Sequence, residues 1–118
     1  MKNIIFLTVL NLFIFAIPVT AMAADKTAGA AIYRKNCAGC HGLSGGGDGP
    51  AAATLMPKPS NFVASNYKDS AGKMFKDYSE SDLINIIEYG RKGTAMPRWK
   101  KFLSSEDVAD VLIYIRSL

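Results

Sequence analysis

Two stretches in the second half of the chain repeat apolar residues with the period of an α-helix. In the first, small or apolar side chains fall at the i, i+3, i+4 and i+7 positions of one face: Leu83, Ile86, Ile87 and Gly90. The second carries a similar apolar stripe: Val108, Val111, Leu112 and Ile115. Each stretch follows a serine with an acid three residues later, the signature of a capped helix start. The pattern therefore predicts one helix from about 79 that ends near 90–93, and a last helix from about 105 to 117.

Upstream, the Ala-rich residues 27–36 favour a short helix that leads to Cys37. Gly29, Tyr33 and Cys37 are spaced four residues apart and so lie on one face. Since an interior glycine costs about 1 kcal/mol against alanine, Gly29 indicates close approach of another helix. Residues 42–61 are rich in glycine and proline, so we expect a long functional loop there, with one helical turn at 51–55. No alternating β pattern stands out, and the predicted fold class is all-α.

The amino-terminal residues carry a different pattern. Lys2 precedes an apolar run of 14 residues from Ile4 to Ile17, and the small-residue sequence Ala-Met-Ala follows at 21–23. These are the parts of a secretory signal peptide, so we expect residues 1–23 to be cleaved. Residues 24–118 would then form one domain in the periplasm, without a stable membrane span. The alternative is an uncleaved anchor, but the apolar run is shorter than the ~20 residues that cross a bilayer.

All the cysteine and histidine of the chain falls within five positions, Cys37-Ala38-Gly39-Cys40-His41. The C-x-x-C-H spacing is that of covalent c-type haem attachment, with both cysteines bonded to the porphyrin edge and His41 as the proximal iron ligand. A thioredoxin-like redox disulfide is one alternative, but that motif belongs in a βαβ context. A structural zinc site wants about four ligands where three are present, and a chance match is less favoured still. The motif therefore predicts one covalently attached haem c.

A turn-forming segment, residues 93–99, separates the two capped helices and carries Met96. Thioether sulfur suits haem iron, and His/Met ligation raises the reduction potential, as suits an electron carrier. Met96 is therefore the candidate sixth iron ligand. Filling a gap in the core is the common alternative for a methionine. Met74 is the second candidate ligand, and Met56 lies in the proline-rich loop on the histidine side.

Together these features resemble a class I cytochrome c over nearly all of residues 24–118. The resemblance rests on an ordered set of motifs: Cys37-x-x-Cys40-His41, the Gly29/Tyr33 pair, Gly93-Thr94-Ala95-Met96-Pro97 and Tyr114-Ile115-Arg116. It implies the cytochrome c fold, in which about three to five helices wrap around one covalently bound haem. It also implies that the first and last helices cross, with Gly29 and Tyr33 opposite Leu112, Tyr114 or Ile115.

The same resemblance assigns a residue that supports the axial histidine. Members of the family typically have a loop proline whose carbonyl accepts a hydrogen bond from the axial histidine, and Pro50 looks like that residue. Trp99, in the methionine segment, is expected to pack against the haem. The Gly-Asp-Gly-Pro stretch at 47–50 and the segment 57–62 are most similar to bacterial monohaem cytochromes and to cytochrome c domains of larger respiratory enzymes.

An iron with two protein ligands has no open position for substrate, so the predicted function is outer-sphere one-electron transfer and not enzyme catalysis. The expected partners are respiratory or dehydrogenase proteins. One alternative is a haem-based peroxidase or gas sensor that works through displacement of the methionine. Another is a permanent electron-transfer subunit of a larger oxidoreductase complex.

The formal net charge is +4, and basic residues cluster around the methionine segment: Arg91, Lys92, Arg98, Lys100 and Lys101. Such a cluster would steer a redox partner with an acidic docking face, and the alternative is a solvated surface that only aids solubility. Nucleic acid is not an expected partner, because the chain is exported and has no aromatic-interleaved basic stretch. We expect the protein to be a monomer.

Overall fold

The computed structural model describes residues 22–118 and contains four α-helices in that range. Their bounds are α1, Lys26–Asn36; α2, Ala38–His41; α3, Glu80–Tyr89; and α4, Ser105–Ile115. Two 3-10 turns, Ala52–Thr54 and Phe75–Asp77, lie between α2 and α3. No strand occurs within residues 22–118, so the predicted all-α class is confirmed.

The predicted signal peptide, residues 1–23, lies outside the described residues except for its last two positions. Among residues 22–118, no helix is long and apolar enough to cross a membrane.

Both predicted capping boxes are formed at the helices that frame the methionine segment. The Ser79 side chain accepts a hydrogen bond from the backbone N–H of Asp82, whose carboxylate accepts one from the backbone N–H of Ser79. Ser104 and Asp107 form the same reciprocal pair at the start of α4. Each box satisfies backbone donors that have no partner inside the helix. The last helix ends at 115, two residues earlier than its apolar pattern predicts.

The first and last helices cross at Gly29. A side chain at this position would run into the backbone carbonyl of Asp110, and a Cβ built there would lie 3.0 Å from the backbone nitrogen of Val111. One turn later Tyr33 is fully buried, and its ring centroid lies 5.2 Å from that of Tyr114. The missing side chain therefore lets two backbones touch, which accounts for a glycine inside a helix. Gly29 meets α4 slightly nearer to its start than the resemblance implied.

The glycine-rich loop after α2 folds back onto that helix. Gly47, whose positive φ of 73° suits a glycine, donates its N–H to the carbonyl of His41 at 2.8 Å. Phe62 N–H in turn donates to the carbonyl of Gly45 at 2.8 Å, which closes the loop. The loop is thus ordered by backbone hydrogen bonds, and its predicted helical turn is the 3-10 turn Ala52–Thr54.

The core lies where α1, α3 and α4 meet. Its buried members come from all the larger elements: Tyr33, Ala38, Tyr78, Leu83, Ile87, Val108, Val111, Leu112 and Ile115. Among the partly buried side chains that pack against this cluster are Cys37, Met96 and Trp99. The core therefore ends at the face where the predicted haem motif and the methionine segment lie.

Candidate haem site

The C-x-x-C-H motif forms a single helical turn. Cys37 caps α2, and its carbonyl accepts hydrogen bonds from the backbone N–H groups of Cys40 and His41, at 3.2 and 2.9 Å. Both cysteines are partly buried, and they form no disulfide with each other. Burial, with a smaller effect of the neighbouring Cys40, raises the pKa of the Cys37 thiol to about 11. No strand occurs among residues 22–118, so the βαβ context of a thioredoxin-like disulfide is absent from the described part of the chain.

The His41 imidazole is fixed by two contacts. Its Nδ1 lies 3.0 Å from the carbonyl oxygen of Ser60, and its ring stacks on Phe62 with 4.6 Å between centroids. Because a carbonyl only accepts hydrogen bonds, Nδ1 carries the proton and Nε2 remains as the nitrogen for a metal. Burial lowers the pKa of His41, and the Ser60 hydrogen bond opposes that effect only in part. The neutral imidazole, which is the ligating form, is therefore favoured.

The structure gives the hydrogen bond of His41 to Ser60 and not to Pro50, which corrects the assignment made from sequence. Ala51 N–H donates to the carbonyl of Gly39 at 2.9 Å, so the backbone around position 50 runs along the first part of α2. Pro50 is exposed there and does not line the cavity beside the imidazole. The chain reaches the His41 ring only ten residues later, at Ser60.

An apolar cavity opens beside α2 and is bounded by all the larger elements. The space between its walls, including the open mouth, is about 1260 Å³. Its wall contains every ligand and attachment residue predicted from the motifs, with core side chains around them: Cys37, Cys40, His41, Met96, Trp99, Leu83, Ile87, Leu112 and Ile115. One imidazole, one thioether and two thiols on an apolar wall are the donor set that a covalent His/Met haem requires. The residues present therefore fit the predicted group.

Of the three methionines considered, the structure brings only Met96 to the cavity. Met56 is 84% exposed, and Met74 precedes the second 3-10 turn; neither lines the cavity. Met96 is partly buried, and its backbone N–H donates to Thr94 Oγ1 at 3.2 Å. Trp99 N–H donates to the carbonyl of Ile87 at 3.2 Å, which ties the far end of the segment to α3.

A charged cluster on the cavity wall was not predicted. The guanidinium of Arg91 donates to Asp69 and to the hydroxyl oxygen of Tyr78, and the Tyr78 hydroxyl donates to Asp69 at 2.7 Å. Burial raises the pKa of Asp69, but the hydrogen bonds from Arg91, Tyr78 and the backbone outweigh it, so that this pKa lies below its usual value. No local pattern pointed to this cluster or to Ser60, because the three side chains come from distant segments and Ser60 acts through its backbone.

Two of the five basic side chains around the methionine segment form ion pairs with acidic residues. Arg91 is occupied by Asp69, and Lys100 Nζ forms an ion pair with Glu88 at 2.7 Å. The remaining three basic side chains are exposed and make no ion pair within the described part of the chain: Lys92, Arg98 and Lys101.

An all-helical fold that brings C-x-x-C-H and a loop methionine to one apolar cavity is the architecture of class I c-type cytochromes. The family described as cytochrome C oxidase, cbb3-type, subunit III matches residues 24–115. The chain therefore belongs to this family of monohaem c-type cytochromes, which carry one covalently bound haem c and transfer electrons.

Several relatives are named cytochrome c6. The protein from Thermostichus vulcanus is 34% identical, over 88% of this chain and 79% of its own length. The one from a Nostoc strain is 32% identical, over 98% of this chain and 92% of its own length. A cbb3-type cytochrome c oxidase subunit CcoP from Azospirillum brasilense is 30% identical over 83% of this chain, which spans only 29% of that longer protein.

One solved structure also resembles the chain. It is a chain of the reducing HAO-like protein complex of Kuenenia stuttgartiensis, with a TM-score of 0.66 and 33% sequence identity. The match covers 79% of the present chain but only 42% of that chain, so the likeness concerns less than half of the larger protein.

Proposed function

We propose that this protein is a periplasmic one-electron carrier in which His41 Nε2 and the Met96 sulfur would be the two protein ligands of the haem iron. The observation that supports this most is that both side chains line one apolar cavity, whereas Met56 and Met74 do not. Bound haem c supplies an iron that exchanges one electron without exchanging a ligand.

Three features of the protein support this electron exchange. The Ser60 carbonyl holds the His41 ring in one tautomer and makes it a stronger donor. As an iron ligand, the soft sulfur of Met96 would favour the reduced state and raise the reduction potential. Core side chains such as Leu112 and Ile115 exclude water from the cavity. If both residues ligate the iron, the protein leaves no open position for a substrate, as suits an electron carrier.

The ligand assignment is tested by the near-infrared sulfur-to-iron band of the ferric holoprotein. We expect Met96→Ala to abolish this band and Met74→Ala, the matched control, to leave it intact. A band that survives in Met96→Ala would transfer the axial role to another residue. A band that disappears only in Met74→Ala would give that role to Met74.

For partner binding, we propose that the three exposed basic side chains near the methionine segment steer an acidic redox partner. Neutralising them as Lys92→Gln, Arg98→Gln and Lys101→Gln should slow electron transfer to that partner at low salt and flatten its dependence on ionic strength. The reason is that charges exposed to solvent act over a Debye length of about 10 Å at 0.1 M salt.

The control for steering removes the same number of charges from α1, as Lys26→Gln, Arg34→Gln and Lys35→Gln. These side chains are also exposed. If both triple variants slow electron transfer equally, the effect comes from net charge and not from the basic surface beside the methionine segment.

A second candidate function is that of a permanent electron-transfer subunit. It is favoured by relatives in which the matching part is less than half of a longer protein, namely an oxidase subunit and a chain of a protein complex. Purification of a tagged copy from its own cells under mild conditions separates the two proposals. A free carrier elutes alone as a monomer, whereas a permanent subunit elutes together with partner chains in fixed stoichiometry.

A further inference from the structure

Asp69, Tyr78 and Arg91 form one hydrogen-bonded cluster on the cavity wall, which we call the Arg91 clamp. The Asp69 side chain is only 7% exposed and that of Arg91 is 18% exposed. Asp69 also accepts from the backbone N–H groups of Ala71 and Lys73, at 2.8 and 3.2 Å. The carboxylate is therefore held by its own loop, and it holds the guanidinium in turn.

The clamp connects to Met96 through Thr94. The carbonyl of Arg91 accepts from the Thr94 backbone N–H at 3.2 Å and from Thr94 Oγ1 at 2.8 Å. The same Oγ1 accepts from the backbone N–H of Met96 at 3.2 Å. Arg91 thus joins two sets of hydrogen bonds, since its guanidinium binds Asp69 while its backbone carbonyl binds Thr94, which in turn binds the backbone of Met96.

Burial alone does not hold this segment in place. Its residues Ala95, Pro97 and Arg98 are exposed, and Met96 itself is only partly buried. The far end is fixed separately, because the backbone N–H groups of Trp99 and Lys100 donate to the carbonyls of Ile87 and Glu88. On the near side, the guanidinium of Arg91 is the one charged side chain among residues 22–118 that ties the segment to residues 69–78 through an ion pair.

We propose that the Arg91 clamp is a positioning device that holds Met96 at the cavity and so sets how easily an outside ligand displaces its sulfur from the iron. This inference rests on the proposed axial role of Met96. A buried pair that loses one partner leaves an uncompensated charge, which must then move toward water. Movement of Arg91 would carry its carbonyl away from Thr94 and loosen the backbone that presents Met96.

The test is a titration of the ferric holoprotein with imidazole, followed by the haem absorption spectrum. Asp69→Asn keeps the shape of the side chain but removes the charge that fixes Arg91, and we expect it to raise imidazole affinity by about tenfold or more. Thr94→Val is isosteric and removes the hydroxyl that connects the Arg91 carbonyl to the Met96 backbone, so it should raise the imidazole affinity similarly. Arg91→Lys keeps the charge but loses the fork that reaches both partners, and it should behave like Asp69→Asn.

Two comparisons distinguish positioning from a general loss of stability. Because Asp69 and Thr94 act on one connection, the double variant should bind imidazole no more tightly than the stronger single variant, within about twofold. Glu88→Gln removes the other ion pair of this region, at the far end of the segment, and should change the affinity by less than about twofold.

Imidazole affinities at the wild-type level in Asp69→Asn and Thr94→Val would overturn the inference, even if unfolding became easier. Effects that multiply in the double variant would also overturn it, because the two residues would then act independently. If Asp69→Asn fails to fold, Thr94→Val and Arg91→Lys still give a result. A wild-type protein without the sulfur-to-iron band would instead refute the axial role of Met96, and with it the basis of this inference.

Discussion

Replacement of Gly29 by alanine tests the helix crossing on which the fold depends. In an isolated helix, the substitution would stabilise by about 1 kcal/mol, because alanine is the better helix former. In this protein the new methyl group would overlap the carbonyl of Asp110, and its Cβ would lie 3.0 Å from the nitrogen of Val111. Both neighbours are backbone atoms of α4, so they cannot turn away as a side chain would.

Relief therefore requires the two helices to separate. Overpacking a well-packed core costs about 1–3 kcal/mol, and a clash against backbone belongs at the upper end of that range. After subtraction of the gain in helix propensity, we expect Gly29→Ala to lower the free energy of unfolding by about 2 kcal/mol. For a domain of this size, that corresponds to a fall in Tm of roughly 8–16 °C.

The assay is guanidinium unfolding of the holoprotein, followed by far-ultraviolet circular dichroism. Gly39→Ala is the matched control, because a Cβ at Gly39 would meet no atom within 4 Å and the residue is also helical. It should leave the stability unchanged or raise it slightly. A Gly29→Ala protein as stable as wild type would refute the close backbone approach at this crossing.

Two further predictions concern hydrogen bonds. Tyr33→Phe removes the buried hydroxyl that donates to the carbonyl of Gly42 at 2.7 Å. We expect it to lower the free energy of unfolding by about 1–2 kcal/mol in the same assay. An unchanged denaturation midpoint would show that this hydrogen bond makes no net contribution to stability. Because the pKa of Asp69 is lowered in the folded state, its ionisation stabilises the protein above the unfolded value of about 4, and this contribution is lost as pH falls through the lower folded value. The stability deficit of Asp69→Asn should therefore shrink on acidification below about pH 4, and a deficit that stays constant with pH would contradict this assignment.

Elements with a local signature could be predicted from the sequence. The capping boxes at Ser79 and Ser104 gave the helix starts, since the pattern of a serine followed by an acid needs only neighbouring residues. Gly29 pointed to a close helix contact because glycine inside a helix is costly. The C-x-x-C-H motif and Met96 were likewise predicted from local patterns, and both line one cavity.

The remaining features depend on residues that meet only after folding. Ser60 reaches His41 through a backbone carbonyl, which any residue possesses, so its side chain carries no signal. Pro50 was chosen by resemblance alone, and the route of the loop along α2 placed it elsewhere. The Arg91 clamp joins residues up to 22 positions apart, and the sequence showed Arg91 only as one more basic residue near the methionine.

Carbon monoxide provides the most direct test of the central claim that Met96 closes the sixth position and makes the protein an electron carrier. Carbon monoxide binds only to ferrous haem with an open or easily vacated position. We predict that the absorption spectrum of the reduced wild-type holoprotein stays unchanged under carbon monoxide at neutral pH, while Met96→Ala converts to a carbon monoxide complex. If the reduced wild-type protein readily forms a carbon monoxide complex, that result contradicts the electron-carrier function and favours a gas-binding function.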